Sequence, residues 1–228
     1  MMRNRVLFLL ITILLSSACS KIGDFDINDR PYSADGEKDA SSAPRTILAT
    51  VKQDADGSAY LWSKGVRINP SEPIVFERQH RVMTQLSYID KGDRPVWAHI
   101  HWMEPIDEGV FTNNASVAGS DGLDVNEYSW MSGTDDGYLT LFYTTWWGEH
   151  PVHHDFYLVS GLDPDDPYSL ELRHNAHGDK KQTQGDGLIC FDINSLPDTG
   201  DESKIISLKW HNTEGKTITA KFEFRSRK

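Results

Sequence analysis

The chain has 228 residues, a formal net charge of -11 and only two cysteines. This acidity argues against nucleic acid and anionic lipid as partners, because both are bound mainly through neutralisation of their phosphates by Lys and Arg. Two cysteines also exclude a disulfide framework of the kind that stabilises small secreted domains.

Residues 1–18 have the organisation of an export signal. Arg3 and Arg5 supply a positive start, and an uninterrupted apolar run follows from Val6 to Leu15. A membrane-spanning helix needs roughly 20 apolar residues, so this shorter run predicts cleavage after export. The small residues 16–18 then lead to Cys19, a pattern that resembles the bacterial lipobox, although Ser16 stands where Leu is usual.

Cys19 is therefore predicted to carry lipid and to become the first residue of the mature chain; the alternative is ordinary signal cleavage beside an unrelated Cys. Several acyl chains on one residue anchor a protein stably to a membrane. Residues 19–44 are polar and rich in Asp, which predicts a flexible acidic tether. The expected location is the outer membrane, on its periplasmic face or at the cell surface.

Residues 45–112 predict a small barrel of the OB type. Short runs of β-forming residues alternate here with turn signals, and no segment has the 3.6-residue apolar period of a helix. The predicted strands are Arg45–Val51, Ala59–Ser63, Arg81–Ile89 and Pro95–Met103, with room for a fifth. The segment 108–122, rich in Asn, Ser, Gly and Asp, is expected to contain the domain boundary, which we set after residue 112.

Residues 113–228 predict a seven-stranded immunoglobulin-like β-sandwich, so that the whole fold is all-β. The clearest strand is Thr217–Phe224, in which apolar and polar residues alternate strictly. Cys190 lies in an apolar run of strand length, which predicts a buried and unreactive thiol. The other six predicted strands are 123–131, 137–147, 153–159, 168–173, 187–193 and 203–211.

Several segments resemble the NigD-like lipoproteins of Bacteroidota, and they follow one another in the same order and spacing over essentially the whole mature chain. They are Ala59–Ser63 with Gly65, Gly137–Leu141, Trp146–Gly148 with His153 and His154, Leu170–Asp179, Gly187–Asp192 and Ser195–Pro197. The resemblance implies a lipid-anchored protein with an OB-type barrel and a β-sandwich. It also implies an immunity or accessory role linked to bacteriocins, and it carries no catalytic residues.

Histidine is the first candidate for chemistry. His99 and His101 are two apart on a predicted strand and share a face, and Asp155 shares a face with His153. If these pairs met across strands, they would offer the nitrogen and oxygen ligands that Zn²⁺ accepts. A metal-dependent hydrolase built from His99, His101 and His153 is therefore the alternative function. No recognised metal-ligand spacing supports it, and no metal or other cofactor is predicted.

Aromatic and polar side chains near the domain centre are the second candidate. Trp146 and Trp147 are adjacent in a strand, so they point to opposite faces and one of them can contact a partner. Arg173 and His174 lie close to a Gly turn. We take these four as tentative binding residues; the competing interpretations are interdomain packing for the tryptophans and turn formation for the segment 170–179.

The sequence thus predicts a lipid-anchored binding or accessory protein of the cell envelope without catalytic activity. The expected partners are the membrane, through Cys19, and a protein or a glycan, with a possible link to bacteriocin immunity. A monomer is expected, and binding to nucleic acid is not.

Overall fold

The computed structural model describes residues 43–89, 96–150, 152–179 and 181–227, and this part of the chain contains fifteen strands and no helix. The predicted export signal, the lipidation site Cys19 and nearly all of the tether lie outside the described residues. None of the described residues belongs to a helix that is long and apolar enough to cross a membrane.

The first five strands close into a barrel. Their order around it is β1-β2-β3-β5-β4, with β4 returning to pair with β1, and the β3–β5 pair is parallel while the other pairs are antiparallel. This is the five-stranded Greek-key arrangement of an OB-type barrel. The strands are β1 (Arg45–Gln53), β2 (Ala59–Ser63), β3 (Val66–Pro70), β4 (His80–Ile89) and β5 (Val96–Pro105).

Strand β3 had no counterpart among the four strands expected from the sequence. It follows β2 through a two-residue hairpin turn, in which Lys64 and Gly65 have φ values of 48° and 79°. Positive φ at both central residues gives the tight turn whose twist matches that of the flanking strands. Strand β3 ends at Pro70, and its five residues are too few for alternation to stand out.

The fully buried hydrophobic side chains of the barrel interior are all aliphatic. On β1, the inward residues Ile47, Ala49 and Val51 alternate with outward residues, as the pleat requires. The remaining fully buried members come from the other four strands and are Leu61, Ile68, Val82, Leu86 and Ala98. The interior of so small a barrel is filled by side chains.

The other ten strands form a sandwich of two five-stranded sheets. One sheet has the order β6-β13-β10-β8, with β9 also on β10, and the other has the order β15-β14-β12-β11-β7. The strands are β6 (Asp107–Glu108), β7 (Val110–Thr112), β8 (Asp124–Val125), β9 (Gly133–Asp135), β10 (Tyr138–Trp147), β11 (Asp155–Val159), β12 (Ser169–Asn175), β13 (Thr183–Asp192), β14 (Lys204–His211) and β15 (Thr217–Phe224).

The predicted all-β class, with a barrel followed by a sandwich, is confirmed. The change from barrel to sandwich occurs soon after Pro105, because β6 pairs with β13 and β7 pairs with β11. Residues 107–112 therefore belong by hydrogen bonding to the sandwich, whereas the predicted division had placed them in the barrel. They were too short and too polar to be recognised as strands from the sequence.

The strand predicted at residues 123–131 is wrong over most of its length. Only Asp124 and Val125 are in strand conformation, and turns follow because the main-chain N–H of Ser129 donates to the carbonyl of Asn126 and that of Ser132 donates to Ser129. In a strand, Tyr128 and Trp130 would have pointed to the same face of the sheet. The turns instead make residues 126–132 a surface loop.

Charged and apolar contacts hold the barrel against the sandwich. Arg81 is buried and its Nη1 lies 3.0 Å from Oδ2 of Asp135, while Lys52 Nζ lies 2.8 Å from Oδ1 of Asp136. Beside these pairs, Cys190 is buried, and this burial raises its pKa to about 12. The thiol is therefore protonated and inert at neutral pH, as expected from its apolar strand.

Candidate functional site

Trp146 and Trp147, the two predicted binding tryptophans, end strand β10 and point to opposite faces of the sheet. The indole of Trp147 turns inward and stacks on the imidazole of His154, with 4.0 Å between ring centroids and 10° between planes. Trp146 lies on the outer face, opposite Gln184 of β13. Both side chains are half-buried, and Trp147 is committed to internal packing.

The stacked pair belongs to a buried histidine cluster, which consists of Trp147, His154, Phe156, His174 and Asp179. Nε2 of His154 lies 3.3 Å from Oδ2 of Asp179, and its Nδ1 lies 2.9 Å from Nε2 of His174. The His174 ring also stacks on Phe156, with centroids 4.9 Å apart. The cluster arises because antiparallel pairing of β11 and β12 sets Phe156 opposite His174.

Both histidines of the cluster are neutral at neutral pH. Burial lowers the pKa of His154. Burial, together with the repulsion between the two rings when both are protonated, lowers the pKa of His174 to about 4. Burial acts in this direction because a charged imidazolium loses its hydration. Donation from His154 Nε2 to Asp179 would then leave Nδ1 as acceptor for His174, whose own Nδ1 has no hydrogen-bond partner in the described structure.

His174, with 2% of its surface exposed, lies in the interior and is unavailable for direct contact with a partner. Arg173 points outward, but its guanidinium is already hydrogen-bonded within the protein. Its Nη1 donates to the carbonyls of Ala115, at 2.6 Å, and Val117, at 3.0 Å, and its Nε donates to Glu171 at 2.8 Å. Arg173 thus fastens the 113–118 segment to the sheet.

The alternative metal site is not assembled. His99 and His101 lie on β5 of the barrel, where their rings touch edge to face and His101 Nε2 is 2.9 Å from the hydroxyl of Ser87. His153 is in the sandwich and lies 3.5 Å from Asp155. Among the described residues, no group of three or more His, Cys, Asp or Glu side chains is placed to hold a metal ion.

The clearest exposed feature is an aromatic loop, residues 126–132, that the sequence had assigned to a strand. Tyr128 is 91% exposed and Trp130 is 46% exposed. Neither Tyr128 nor Trp130 was among the four binding residues predicted from the sequence. The available signal was Asn126 and Ser129, two residues that favour turns, within an otherwise strand-like run.

Hydrogen bonds fix the aromatic loop to the edge of β10. The N–H of Asn126 donates to the carbonyl of Phe142 at 3.0 Å, and the N–H of Phe142 donates to Ser132 Oγ, also at 3.0 Å. Inside the loop, Ser129 Oγ accepts from the N–H of Met131 at 3.2 Å. Two large aromatic side chains are therefore held at the surface on a loop that is hydrogen-bonded to β10 at both ends.

Fold and surface together define a class: a two-domain all-β protein that presents aromatic side chains at its surface. The NigD-like C-terminal β-sandwich domain matches residues 104–224, which is more than half of the chain. The protein therefore belongs to the NigD-like family. The resemblance seen in the sequence is confirmed. Among curated proteins, none matches the chain.

Solved structures of several bacterial proteins share the fold. A candidate toxin-related protein of Parabacteroides distasonis is 25% identical, with a TM-score of 0.66 over 81% of this chain and 94% of its own. A NigD-like immunity protein of Bacteroides caccae is 19% identical, with a TM-score of 0.58 over 79% and 96%. A candidate lipoprotein of Bacteroides fragilis is 13% identical, with a TM-score of 0.57 over 82% and 100%.

Proposed function

We propose that this protein is a non-catalytic accessory protein of the cell envelope that recognises a protein partner through its aromatic loop. The observation that carries the proposal is the exposure of Tyr128 and Trp130 on a backbone fixed by hydrogen bonds. Tyr and Trp are the residues that most often dominate binding energy at protein interfaces. Their exposure in an unbound protein is therefore a signal of recognition.

The fixed backbone of the loop adds to this argument. A loop that is ordered before binding loses less conformational entropy when the partner arrives, so more of the contact energy appears as affinity. Tyr and Trp side chains also have few rotatable bonds, which keeps the entropy of ordering low. The aromatic loop combines both properties.

A non-catalytic role agrees with the placement of the titratable groups. The chain of Asp179, His154 and His174 resembles an acid–base relay, but it ends at the buried Nδ1 of His174, which has no partner among the described residues. A relay of this kind acts only when it reaches a nucleophile or a substrate. The chain of hydrogen bonds is better explained as packing of the sandwich interior.

The choice of a protein as partner draws on the relatives. Two proteins of the same fold carry the words immunity protein and toxin-related protein in their names. Immunity and toxin functions both depend on recognition of another macromolecule. We extend this to the present chain as an immunity-like role.

The proposed location rests on the sequence. Lipid on Cys19 would hold the chain at the outer membrane, and a protein of the same fold is named as a candidate lipoprotein. Replacing Cys19 by Ala tests this point. The variant is expected to move from the membrane pellet to the soluble fraction and to lose incorporation of labelled palmitate. Retention in the pellet would contradict the lipid anchor.

The recognition function is tested by affinity capture from the cell envelope of the producing bacterium. The full-length protein is compared with the double variant Tyr128→Ala, Trp130→Ala and with a matched control, Val75→Ala, Ile205→Ala, which removes two other exposed apolar side chains. We expect one protein to be retained by the wild type and the control and lost with the loop variant. Equal retention by all three would contradict the proposal.

A further inference from the structure

A cleft of about 890 Å³ lies between the outer face of the barrel and the C-terminal end of β15. Tyr60 and Trp62 of β2 line one wall, and Glu223 and Arg225 line the other. Sites for small ligands are commonly found between domains and have volumes of roughly 300–1,000 Å³. The cleft shares no lining residue with the aromatic loop or with the buried histidine cluster, although Gly133 directly follows the loop.

The barrel wall of the cleft is aromatic and is held in position by cations. Tyr60 and Trp62 are two residues apart on β2 and therefore share the outer face of the barrel. The Arg67 guanidinium lies 4.1 Å from the ring centroid of Tyr60, and Lys52 Nζ lies 5.3 Å from that of Trp62. Cation–π contacts of this kind restrict the orientation of the rings.

The cleft carries an excess of positive charge, although the chain as a whole is acidic. Two of the three carboxylates that line it are already neutralised. Asp135 is paired at 3.0 Å with Arg81 behind the wall, and Asp136 is paired at 2.8 Å with Lys52. The cationic side chains that line the cleft are Lys52, Lys64, Arg225 and Arg227, one more than the carboxylates. Lys52 and Arg227 both pair with Asp136, so the exposed Arg225 is the cation best placed for a ligand. A positively charged cleft favours an anionic ligand.

The barrel wall of the cleft offers no free strand edge to a peptide. Strand β2 is paired with β1 on one side and with β3 on the other, so it has no free edge to which an extended peptide could add. On the opposite wall, the carbonyl of Glu223 accepts a hydrogen bond from the hydroxyl of Thr134. The barrel wall therefore offers aromatic surface and polar side chains, which suit the apolar faces and hydroxyl groups of sugars.

We propose that this cleft binds a short oligosaccharide that carries carboxylate groups. Tyr60 and Trp62 stack on the faces of sugar rings, and Arg225 pairs with a carboxylate at the open rim. This site goes beyond the proposed recognition of a protein by the aromatic loop and does not depend on it.

The test is titration calorimetry of the mature chain with trigalacturonate, at low salt and again at 0.5 M salt. Maltotriose serves as the neutral probe, and a tripeptide of Glu serves as the acidic peptide probe. We expect trigalacturonate to bind at least tenfold more tightly than either of the others, and to bind more weakly at high salt because charge contributes to affinity.

Variants assign the binding to the cleft. Trp62→Ala is expected to lower the association constant for trigalacturonate at least tenfold. Arg225→Ala changes an exposed side chain that folding does not require, and it is expected to lower the constant several-fold and to weaken its salt dependence. Lys216→Ala, which removes an exposed cation from the β14–β15 turn, is the control and should bind as the wild type does.

Three results would overturn the proposal. The first is no heat of binding with trigalacturonate at millimolar concentration. The second is binding of maltotriose or the Glu tripeptide as tightly as trigalacturonate. The third is unchanged affinity in Arg225→Ala. None of these results bears on the aromatic loop, whose capture experiment uses a different surface and a different partner.

Discussion

The sandwich has two aromatic regions, the buried histidine cluster and the aromatic loop. They contain similar side chains but differ in the role of those side chains. In the cluster, Trp147 is covered by His154 and by β13, and its polar neighbours are linked by hydrogen bonds. In the loop, hydrogen bonds fix the backbone while the rings of Tyr128 and Trp130 remain in solvent. An aromatic ring thus contributes to stability where its surroundings cover it, and is available for recognition where only its backbone is fixed.

The largest expected effect is a loss of stability when a ring of the buried histidine cluster is removed. Trp147→Ala should lower the free energy of unfolding by about 3 kcal/mol, because removal of a large packed side chain leaves a cavity beside His154. Urea denaturation of the wild type and the variant measures this change. A loss below about 0.5 kcal/mol, the range of ordinary surface substitutions, would show that Trp147 is not part of the interior.

A smaller loss of stability is expected when a residue that packs against the Trp147 ring from β13 is enlarged. Gly185 lies opposite Thr145 in the β10–β13 pair and diagonally across from Trp147, and a Cβ at this position would lie 2.9 Å from Cδ1 of the indole. Gly185→Ala should therefore displace the ring and destabilise the protein by about 1–2 kcal/mol, as overpacking does. Gly178→Ala is not a suitable control, because its φ of 73° would add backbone strain. The double variant Gly185→Ala, Trp147→Ala provides the check, since the added methyl should have little effect once the indole is absent.

The histidines of the cluster should also make stability depend on pH. The pKa of His174 is about 4 in the folded protein and returns to 6.5 on unfolding. The unfolded chain therefore binds more protons than the folded chain between these values. Stability from this residue is complete above pH 6.5 and falls with pH between 6.5 and 4, by up to about 1.4 kcal/mol per pH unit.

His174→Phe isolates this contribution from that of acidic side chains. The variant keeps the stacking on Phe156 but removes the hydrogen bond to His154, so a loss of about 1 kcal/mol is expected at pH 7.5. Its stability should then decline less steeply than that of the wild type between pH 6.5 and 4.5. Parallel declines in urea denaturation would contradict the buried, neutral state of His174.

The smallest effect on stability is expected in the aromatic loop. Tyr128→Ala and Trp130→Ala should each change the free energy of unfolding by less than about 0.5 kcal/mol, because exposed side chains have few contacts to lose. The same denaturation series measures them. A loss as large as that of Trp147→Ala would place Trp130 in the interior and would remove the basis for recognition by the loop.

The parts of the fold that could be predicted from the sequence are those that a local residue pattern determines. Thr217–Phe224 was predicted with its observed bounds, because alternation of apolar and polar residues directly reports a half-buried strand. The aromatic loop was missed because Val125, Tyr128 and Trp130 look equally suited to a strand. Hydrogen bonds of Asn126 and Ser132 with Phe142 on β10 hold this segment as a loop, and the local sequence does not reveal them.

The buried histidine cluster could not be predicted from a local residue pattern either. His154, His174 and Asp179 were each noticed, but their meeting depends on the register between β11 and β12, in which Phe156 stands opposite His174. Sequence spacing does not determine the register of strands that are joined by a long connection. The cleft between barrel and sandwich depends in the same way on contacts between domains, such as that of Arg81 with Asp135.

Site-specific photo-crosslinking in living cells tests the central claim most directly. A photoreactive phenylalanine analogue replaces Tyr128 in one strain and Val75, another largely exposed residue between β3 and β4 of the barrel, in another. Recognition by the aromatic loop predicts one discrete adduct with a single envelope protein from position 128 and none from position 75. The absence of an adduct at 128, or the same adducts at both positions, would contradict it.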